Sequence, residues 1–511
     1  MSASGAGRSA GSLVSNSRWN VVAFGVGLAA QFVVIPFVVR WIGMDAFGIA
    51  ALVLAICAPM TLVGTVLAQA LIREISSSEA SGDARVHTDI ATAALRLCLL
   101  ACALGAVVLM ALGPTIAQAL LRGAEITDEL RTALLIAMLG SVAQQIALLL
   151  QGLSAARQDY RTIAWITVVT TLASAATSLG FSWIRPDAVG YLLGLSAGFG
   201  VTSLVWLIKC RHAIAWRGLL SGNSPDKTRA LLHFGKWQGV AQLAGVLGNQ
   251  VDRYALGAMA SASAVGQYTV ANRLQEAAYI GIIKASEVLF PRFGSLANQN
   301  IEQRLAFFMK ASWVAGLLSA AMLAPMAALA TGVLSLWVGP DAAQGADQML
   351  FVLVLAGVIG SASNVFSYYA MGIGRNAPVA TISVLFSVLT IPLTIVSIGL
   401  WGPQAAGVGL LLASVIRVGA SMVLTKRLFF PELSWNGLLV STALPAVVGI
   451  GVAFGGREVL GHQPAAWSGI VVSYAVLSAT VVIFGLLASC TSGVGRGMVT
   501  GLAQSFKEHR P

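Results

Sequence analysis

Charge is what this sequence has least of. Asp, Glu, Lys and Arg together make up 10% of its 511 residues, against about 25% in an ordinary globular protein. With 57% hydrophobic residues, that shortage excludes a soluble globular chain and points to a polytopic membrane protein. Cysteine is scarce as well. Cys57, Cys98, Cys102, Cys210 and Cys490 have neither disulfide nor metal-ligand spacing, and the five histidines are scattered. Cys98 and Cys102, four apart on one helix face, read as packing residues. No GxxxxGK(S/T) phosphate loop is present, since Gly235-Lys236 is followed by Trp237, and no HExxH motif is present. No external loop is long enough to fold by itself, the longest being about residues 113–129. Membrane glycosyltransferases and glycan polymerases carry large external domains, so the chain reads as a non-enzyme with no cofactor. The net charge of +11 is dispersed through short loops without interleaved aromatics, which argues against nucleic acid.

What the sequence does have is apolar runs of membrane-spanning length, about 20 residues each. About fourteen fall at residues 19–39, 47–71, 90–112, 130–152, 162–184, 188–208, 233–256, 266–290, 307–331, 347–371, 377–400, 404–425, 436–454 and 466–489. Residues 1–18, rich in Ser and Gly, read as a disordered cytoplasmic tail. With the N-terminus inside, cytoplasmic segments hold twenty of the 31 basic residues and external segments five, so both termini are expected in the cytoplasm. The expected organisation is a first lobe at 19–208, a basic cytoplasmic link at 209–230, a second lobe at 231–427, two further helices at 428–490 and a cytoplasmic tail at 491–511.

Against this background the stretch from Leu231 to Pro291 stands out, because two spans carry Lys236, Asp252, Arg253, Arg273, Glu276, Lys284 and Glu287. A charge at the bilayer centre costs roughly 2.5–3.5 kcal/mol on insertion scales, so such residues face protein or an aqueous cavity. At about 100° per residue, Arg273, Glu276, Lys284 and Glu287 share one stripe under about 90° wide. Gln238, Gln242, Asn249, Asp252 and Arg253 share a face of roughly 100° on the preceding span. Lys236 and Arg96 lie near span ends and read as snorkelling. Arg417 lies deeper, in the twelfth span. Six intramembrane cations against Asp252, Glu276 and Glu287 leave an excess of positive charge, which favours an anionic ligand. Arg253, Arg273, Lys284, Arg417, Gln242 and Asn249 are the candidate substrate-binding residues. Glu276 is the first candidate for ion coupling, ahead of Asp252 and Glu287, because it lies three residues after Arg273 and within its reach.

The halves also echo each other. RWIGMDAFG (Arg40–Gly48) resembles RYALGAMASASAVGQY (Arg253–Tyr268), and QGLSAARQDYRTI (Gln151–Ile163) resembles MGIGRNAPVATI (Met371–Ile382). Six helices per repeat return the chain to the same side, so the lobes are expected to be parallel repeats. Gly190, Gly194 and Gly198 form a ridge suited to close helix contact. Pro36, Pro59 and Pro392 are candidate kinks. Ser361, Ser363, Asn364, Ser367, Tyr368 and Tyr369 in the tenth span could bond either sugars or other helices.

HFGKWQG (233–239), DRYALG (252–257), VGQYTVANRL (265–274) and LFPRFG (289–294), with RWIGMDAFG near the N-terminus, resemble bacterial polysaccharide flippases of the Wzx type. That family belongs to the MATE-like superfamily, with multidrug exporters and lipid II flippases. The resemblance covers most of residues 15–430, and the last two helices match by hydropathy only. It implies two six-helix lobes around a cavity open alternately to each side, in a bacterial inner membrane. It also implies a polyprenyl-diphosphate-linked oligosaccharide as cargo. On this reading the partners are membrane lipids, H+ or Na+, and glycan polymerase and chain-length proteins. The alternative is a cation-coupled small-molecule exporter on the same fold.

Overall fold

The computed structural model describes residues 4–78, 84–121, 128–216, 218–221, 225–296, 299–460, 466–491, 495–497 and 499–500. Among these residues there is no strand. The principal helices are α1 (Ser4–Cys57), α2 (Thr61–Ser78), α3 (Ala84–Leu120), α4 (Asp128–Ala156), α5 (Tyr160–Ile184), α6 (Ala188–Cys210), α7 (Pro225–Met259), α8 (Ala262–Glu287), α9 (Leu289–Leu296), α10 (Ile301–Ala328), α11 (Ala330–Trp337), α12 (Ala346–Ser361), α13 (Asn364–Gly372), α14 (Ala377–Trp401), α15 (Val408–Leu424), α16 (Leu444–Leu460) and α17 (Trp467–Cys490).

Eleven described helical segments are long and apolar enough to cross a membrane. One of them, Val22–Ile75, has 54 residues, about 81 Å at 1.5 Å per residue, against a hydrocarbon core of about 30 Å. It breaks at Gly43 (φ +80°), a backbone that glycine adopts without the Cβ penalty. It therefore makes two passes. Helices α7 and α8 have the length but are too polar to be counted by hydropathy. Adding them gives fourteen passes, as the apolar runs predict, in an all-α polytopic fold. The closely spaced fifth and sixth spans are separated at Arg185–Asp187, where the Asp187 carboxylate caps α6 by accepting from Gly190 N at 2.7 Å. The N-terminal segment departs from the expected disordered tail. Helix α1 begins at Ser4, because a formed span extends backwards at one hydrogen bond per added residue. The side chains of Arg8, Arg18, Arg85, Arg122, Arg217, Lys236, Gln238, Lys507 and Arg510 lie outside the described residues.

By contacts the chain divides into two compact units, Met1–Gly266 and Gln267–Pro511. In the first, α7 packs with α1, α2 and α3, so this unit runs past residue 231, where the sequence places the start of the second lobe. Its helices meet at small residues. A Cβ on Gly194 would stand 2.6 Å from Ser178 Cα, and one on Gly198 2.4 Å from Ser174 Oγ, so the glycine ridge of α6 seats directly on α5. Pro59 breaks the second pass into a short 3-10 turn, Ala58–Met60. The fully buried Gln145 of α4 accepts from Gly64 N at 3.1 Å just beyond that break. A neighbouring side chain thus supplies hydrogen bonding where the helix is interrupted in lipid. Pro36 and Pro392 sit inside continuous helix.

In the second unit α10 is the central helix, flanked by α12, α16 and α17. Helix α16 approaches through Gly449 and Gly456, whose added Cβ atoms would meet Ala320 Cβ at 2.8 Å and Ala328 Cβ at 2.9 Å. The Tyr474 hydroxyl donates to Met322 O, Ser478 Oγ to Ala321 O at 2.9 Å and Trp313 Nε1 to Ser489 Oγ at 2.8 Å. The last pass, α17, is thereby bonded to α10 along its length, while α16 packs on α10 through its glycines. Asp347 accepts from Thr331 Oγ1 at 2.9 Å and pairs with Arg457 at 3.4 Å, tying α16 to α11 and α12.

Two local structures recur in the two halves, each within its own unit. The second sequence echo is a shared helix stop. Gln158 (φ +57°) and Gly374 (φ +78°) are left-handed. Gln158 N donates to Ala155 O and Asp159 N to Ser154 O, while Gly374 N donates to Met371 O and Arg375 N to Ala370 O. That is one Schellman pattern written twice. The next helix pair also repeats. Gly194 seats on Ser178, and Gly409 seats on Thr394, where its Cβ would fall 2.3 Å from Thr394 N. The connections themselves, Arg185-Pro186-Asp187-Ala188-Val189-Gly190 and Gly402-Pro403-Gln404-Ala405-Ala406-Gly407, form a third echo, missed by the sequence reading although the Pro and final Gly align.

Candidate functional site

Helix α8 carries the most distinctive surface in the molecule. Its buried side is Val270, Ala271, Leu274 and Ile282, each 2% exposed or less. The opposite side is the charged stripe. Arg273, Glu276, Lys284 and Glu287 keep 41%, 46%, 57% and 47% of their side-chain surface accessible. Arg273 Nη1 pairs with Glu276 at 3.2 Å, and Lys284 Nζ with Glu287 at 2.9 Å. The 100° rule placed all four together, and the structure agrees. Open charges on a membrane-crossing helix require water or a polar ligand, because lipid solvates none of them. Exposed pairs at this spacing stabilise by only about 0.2–0.5 kcal/mol, so either cation can leave its carboxylate for a better anion.

Helix α13 completes this surface. Tyr279 Oη donates to Asn364 Oδ1 at 3.4 Å, and Tyr368 Oη to Ile283 O at 3.5 Å. The other polar residues of the tenth pass turn elsewhere. Ser361, Ser363 and Ser367 bond backbone carbonyls of their own helices at 2.7–3.2 Å, and Tyr369 is buried in an aromatic cluster. Arg417 also has a local partner. Its Nη2 donates to Gly360 O at 2.8 Å, and its guanidinium lies 4.6 Å from the Phe386 ring centroid. Gly360 lies in the last turn of α12, where the helix is interrupted before α13. A cation there complements the carbonyl end of a helix dipole.

On α7 the shared polar face divides. Asp252 and Arg253 are 3% and 8% exposed. Arg253 Nη1 donates to Gln250 Oε1 at 2.6 Å, and both residues hold further contacts. Gln242 bridges to α2, accepting from Thr65 Oγ1 and donating to Gln69 Oε1, each at 3.2 Å. Asn249 is exposed. The sequence reading missed Gln145, Gln69 and Tyr254, whose hydroxyl donates to Ala55 O at 2.6 Å. An amide or hydroxyl amid an apolar run was the available signal. The sequence reading also finds no GxSxG, which is incorrect, since Gly194-Leu195-Ser196-Ala197-Gly198 spells it. That motif requires a sharp strand-to-helix turn, whereas Ser196 lies within α6 and donates to Ile136 O at 2.9 Å. Among the described residues no group of His, Cys, Asp and Glu is placed to hold a metal ion.

Fourteen passes, internal repeats and one open charged stripe define a polytopic membrane protein of the MATE-like fold. Solved structures agree on the fold. A lipid II flippase, MurJ, in an inward closed conformation superposes with a TM-score of 0.71 at 11% identity, over 94% of this chain and 99% of that one. An inward-facing multidrug resistance MATE family transporter of the MOP superfamily gives 0.65 at 12% identity, over 87% and 99%. A Vibrio cholerae MATE transporter, VcmN, gives 0.54 at 15% identity, over 83% and 98%. No curated protein matches the sequence. The family is nonetheless plain: the chain belongs to the polysaccharide biosynthesis protein family, whose model matches residues 13–297, more than half of its length.

Proposed function

We propose that this protein is a flippase for a polyprenyl-diphosphate-linked oligosaccharide. It would act by alternating access, from the cytoplasmic to the periplasmic leaflet of a bacterial inner membrane, with both termini cytoplasmic. The observation that carries the reading is the open, weakly paired charge stripe of α8 in a chain of the polysaccharide biosynthesis family. Arg273 and Lys284 would hold the diphosphate, Arg273 bidentately through its planar fork. Tyr279, Asn364 and Tyr368 would contact the glycan, and the exposed Asn249 of α7 stays a candidate contact within the first unit. Arg253, Gln242 and Arg417 are engaged by protein groups and are assigned to holding the helices. The prenyl tail would stay in lipid. No step requires bond making, so the protein is assigned no enzymatic role, and glycan polymerase and chain-length proteins would act on what it delivers. The shared fold admits a drug exporter, but an exposed Arg and Lys suit a phosphate better than a cationic drug.

Deleting the gene should accumulate the lipid-linked oligosaccharide on the cytoplasmic leaflet and remove the exported glycan. Normal export with a new drug sensitivity would select the exporter instead. Orientation is tested by reporter fusions. Those after residues 85 and 217 should be cytoplasmic, and those near Gln118 and residue 461 periplasmic. A periplasmic signal at residue 217 would overturn the assignment of sides.

Coupling would reside in Glu276. A diphosphate that takes Arg273 leaves the carboxylate beside an anion, and proton uptake relieves that repulsion, linking occupancy to the gradient. In proteoliposomes, transport by Glu276→Gln should no longer scale with an imposed pH gradient. Scaling equal to the parent would remove Glu276 from the coupling role.

A further inference from the structure

A second cationic group lies apart from the stripe, where α9, the start of α10, the end of α13 and the turn after α15 meet. Its floor is a contiguous aromatic stack. Phe293 stands edge-on to Phe307 and Tyr369, each at 5.2 Å between centroids, and Tyr369 stands edge-on to Phe429, also at 5.2 Å. Two guanidinium groups ride on it, and a third is hydrogen-bonded to Tyr369. Arg292 Cζ is 5.9 Å from the Phe307 centroid, Arg375 Cζ is 5.9 Å from the Phe429 centroid, and Arg304 and Arg375 both act electrostatically on Tyr369.

The three are under-used as donors. Each guanidinium offers five N–H groups. Arg375 spends one on Leu428 O at 3.3 Å. Arg304 is hydrogen-bonded to Tyr369 while its Nε is buried without a partner, and among the described residues none of the three pairs with a carboxylate. Arg292 and Arg375 are exposed. Contact with the Phe307 and Phe429 rings restrains the Arg292 and Arg375 forks, which stay exposed. All three leave their helices on the side that the loop charges mark as cytoplasmic. The chain from Arg292 back to Arg273 would rise about 28 Å at 1.5 Å per residue, so the group sits far from that end of the stripe.

We propose that Arg292, Arg304 and Arg375 form a binding site for the phosphate headgroup of a lipid. Resting on the flippase reading, it is the place where the cargo's diphosphate is captured before it reaches Lys284 and Arg273. Three guanidinium forks, two restrained on aromatic rings and one held by Tyr369, match the several oxygens of a diphosphate better than the single charge of a phosphodiester.

The test measures lipid binding to the full chain in phosphatidylcholine nanodiscs by native mass spectrometry. The probes are a polyprenyl diphosphate and, separately, phosphatidylglycerol. The parent should bind the diphosphate at least about tenfold more tightly, and the triple variant R292Q/R304Q/R375Q should lose that advantage. Each single Arg→Lys variant should keep phosphatidylglycerol binding and weaken diphosphate binding several-fold. If the triple variant does not fold, the three single Arg→Gln variants decide the matter, and unchanged diphosphate binding in all of them overturns the site. Equal binding of the two probes by the parent leaves a general headgroup site and overturns capture. If the parent prefers the diphosphate and the variants lose that preference while the parent transports no lipid-linked sugar in proteoliposomes, the headgroup site stands and the flippase reading falls.

Discussion

Replacing Arg273 by alanine is expected to abolish glycan export while leaving the protein inserted at its normal level. The two halves of that expectation come from different terms. Within the fold Arg273 pairs with Glu276 at 3.2 Å, and 41% of its side chain is open. Losing an exposed pair of this kind costs about 0.5 kcal/mol or less. Toward a diphosphate the same side chain would make charge-assisted bonds worth about 1.5–3 kcal/mol, or roughly ten- to a hundredfold in binding. Arg273→Lys keeps the charge but loses the bidentate fork and should recover export only in part. Export rate and membrane-fraction abundance, measured together, decide the matter. An alanine variant that exports like the parent places Arg273 among residues that serve packing alone.

Gly48→Ala is expected to lower thermal stability more than other glycine substitutions in the first unit. The added Cβ would stand 1.8 Å from Ala262 O, 2.6 Å from its carbonyl carbon and 2.9 Å from Gly266 N. All three are backbone atoms, so no flexible side chain can swing aside. Relief requires moving the helix after Gly43 away from the first turn of α8, and overpacking of this sort costs about 1–3 kcal/mol or more. Gly266→Ala meets Met44 O at 2.6 Å and Met44 Sδ at 2.8 Å, a contact that a methionine rotamer relieves in part, so its loss should be smaller. Gly25→Ala has nothing within 4 Å and replaces a poor helix former by a good one, so it should be neutral or stabilising. Thermal unfolding in detergent should rank them Gly48, Gly266, Gly25 from most to least destabilised. A parent-like Tm for Gly48→Ala would show that this junction opens without cost.

The position of Gly48 also explains the first sequence echo. The glycine beside Phe47 and the glycine before Gln267 lie against each other's helix starts, so one close approach crowds both positions, Gly48 the more tightly. The motif was legible in the sequence, but not that its two copies touch. The second echo was legible as similar letters, and only the backbone showed it to be one hydrogen-bonded helix stop used twice.

The sequence alone determined the class, the fourteen passes and the α8 stripe. Each of these depends on a local rule: backbone in lipid must bond within its own helix, and side chains repeat at about 100° along it. Tertiary structure decided what each polar residue does with its position. Asp252 and Arg253 share a helical face with Asn249, yet the first two are buried and the third is open, because neighbouring helices cover one part of that face. Arg417 finds Gly360 O across 57 residues of chain, and Gly64 finds Gln145 across 81. Such partners are set by which helices pack side by side, and helical periodicity carries no information about that.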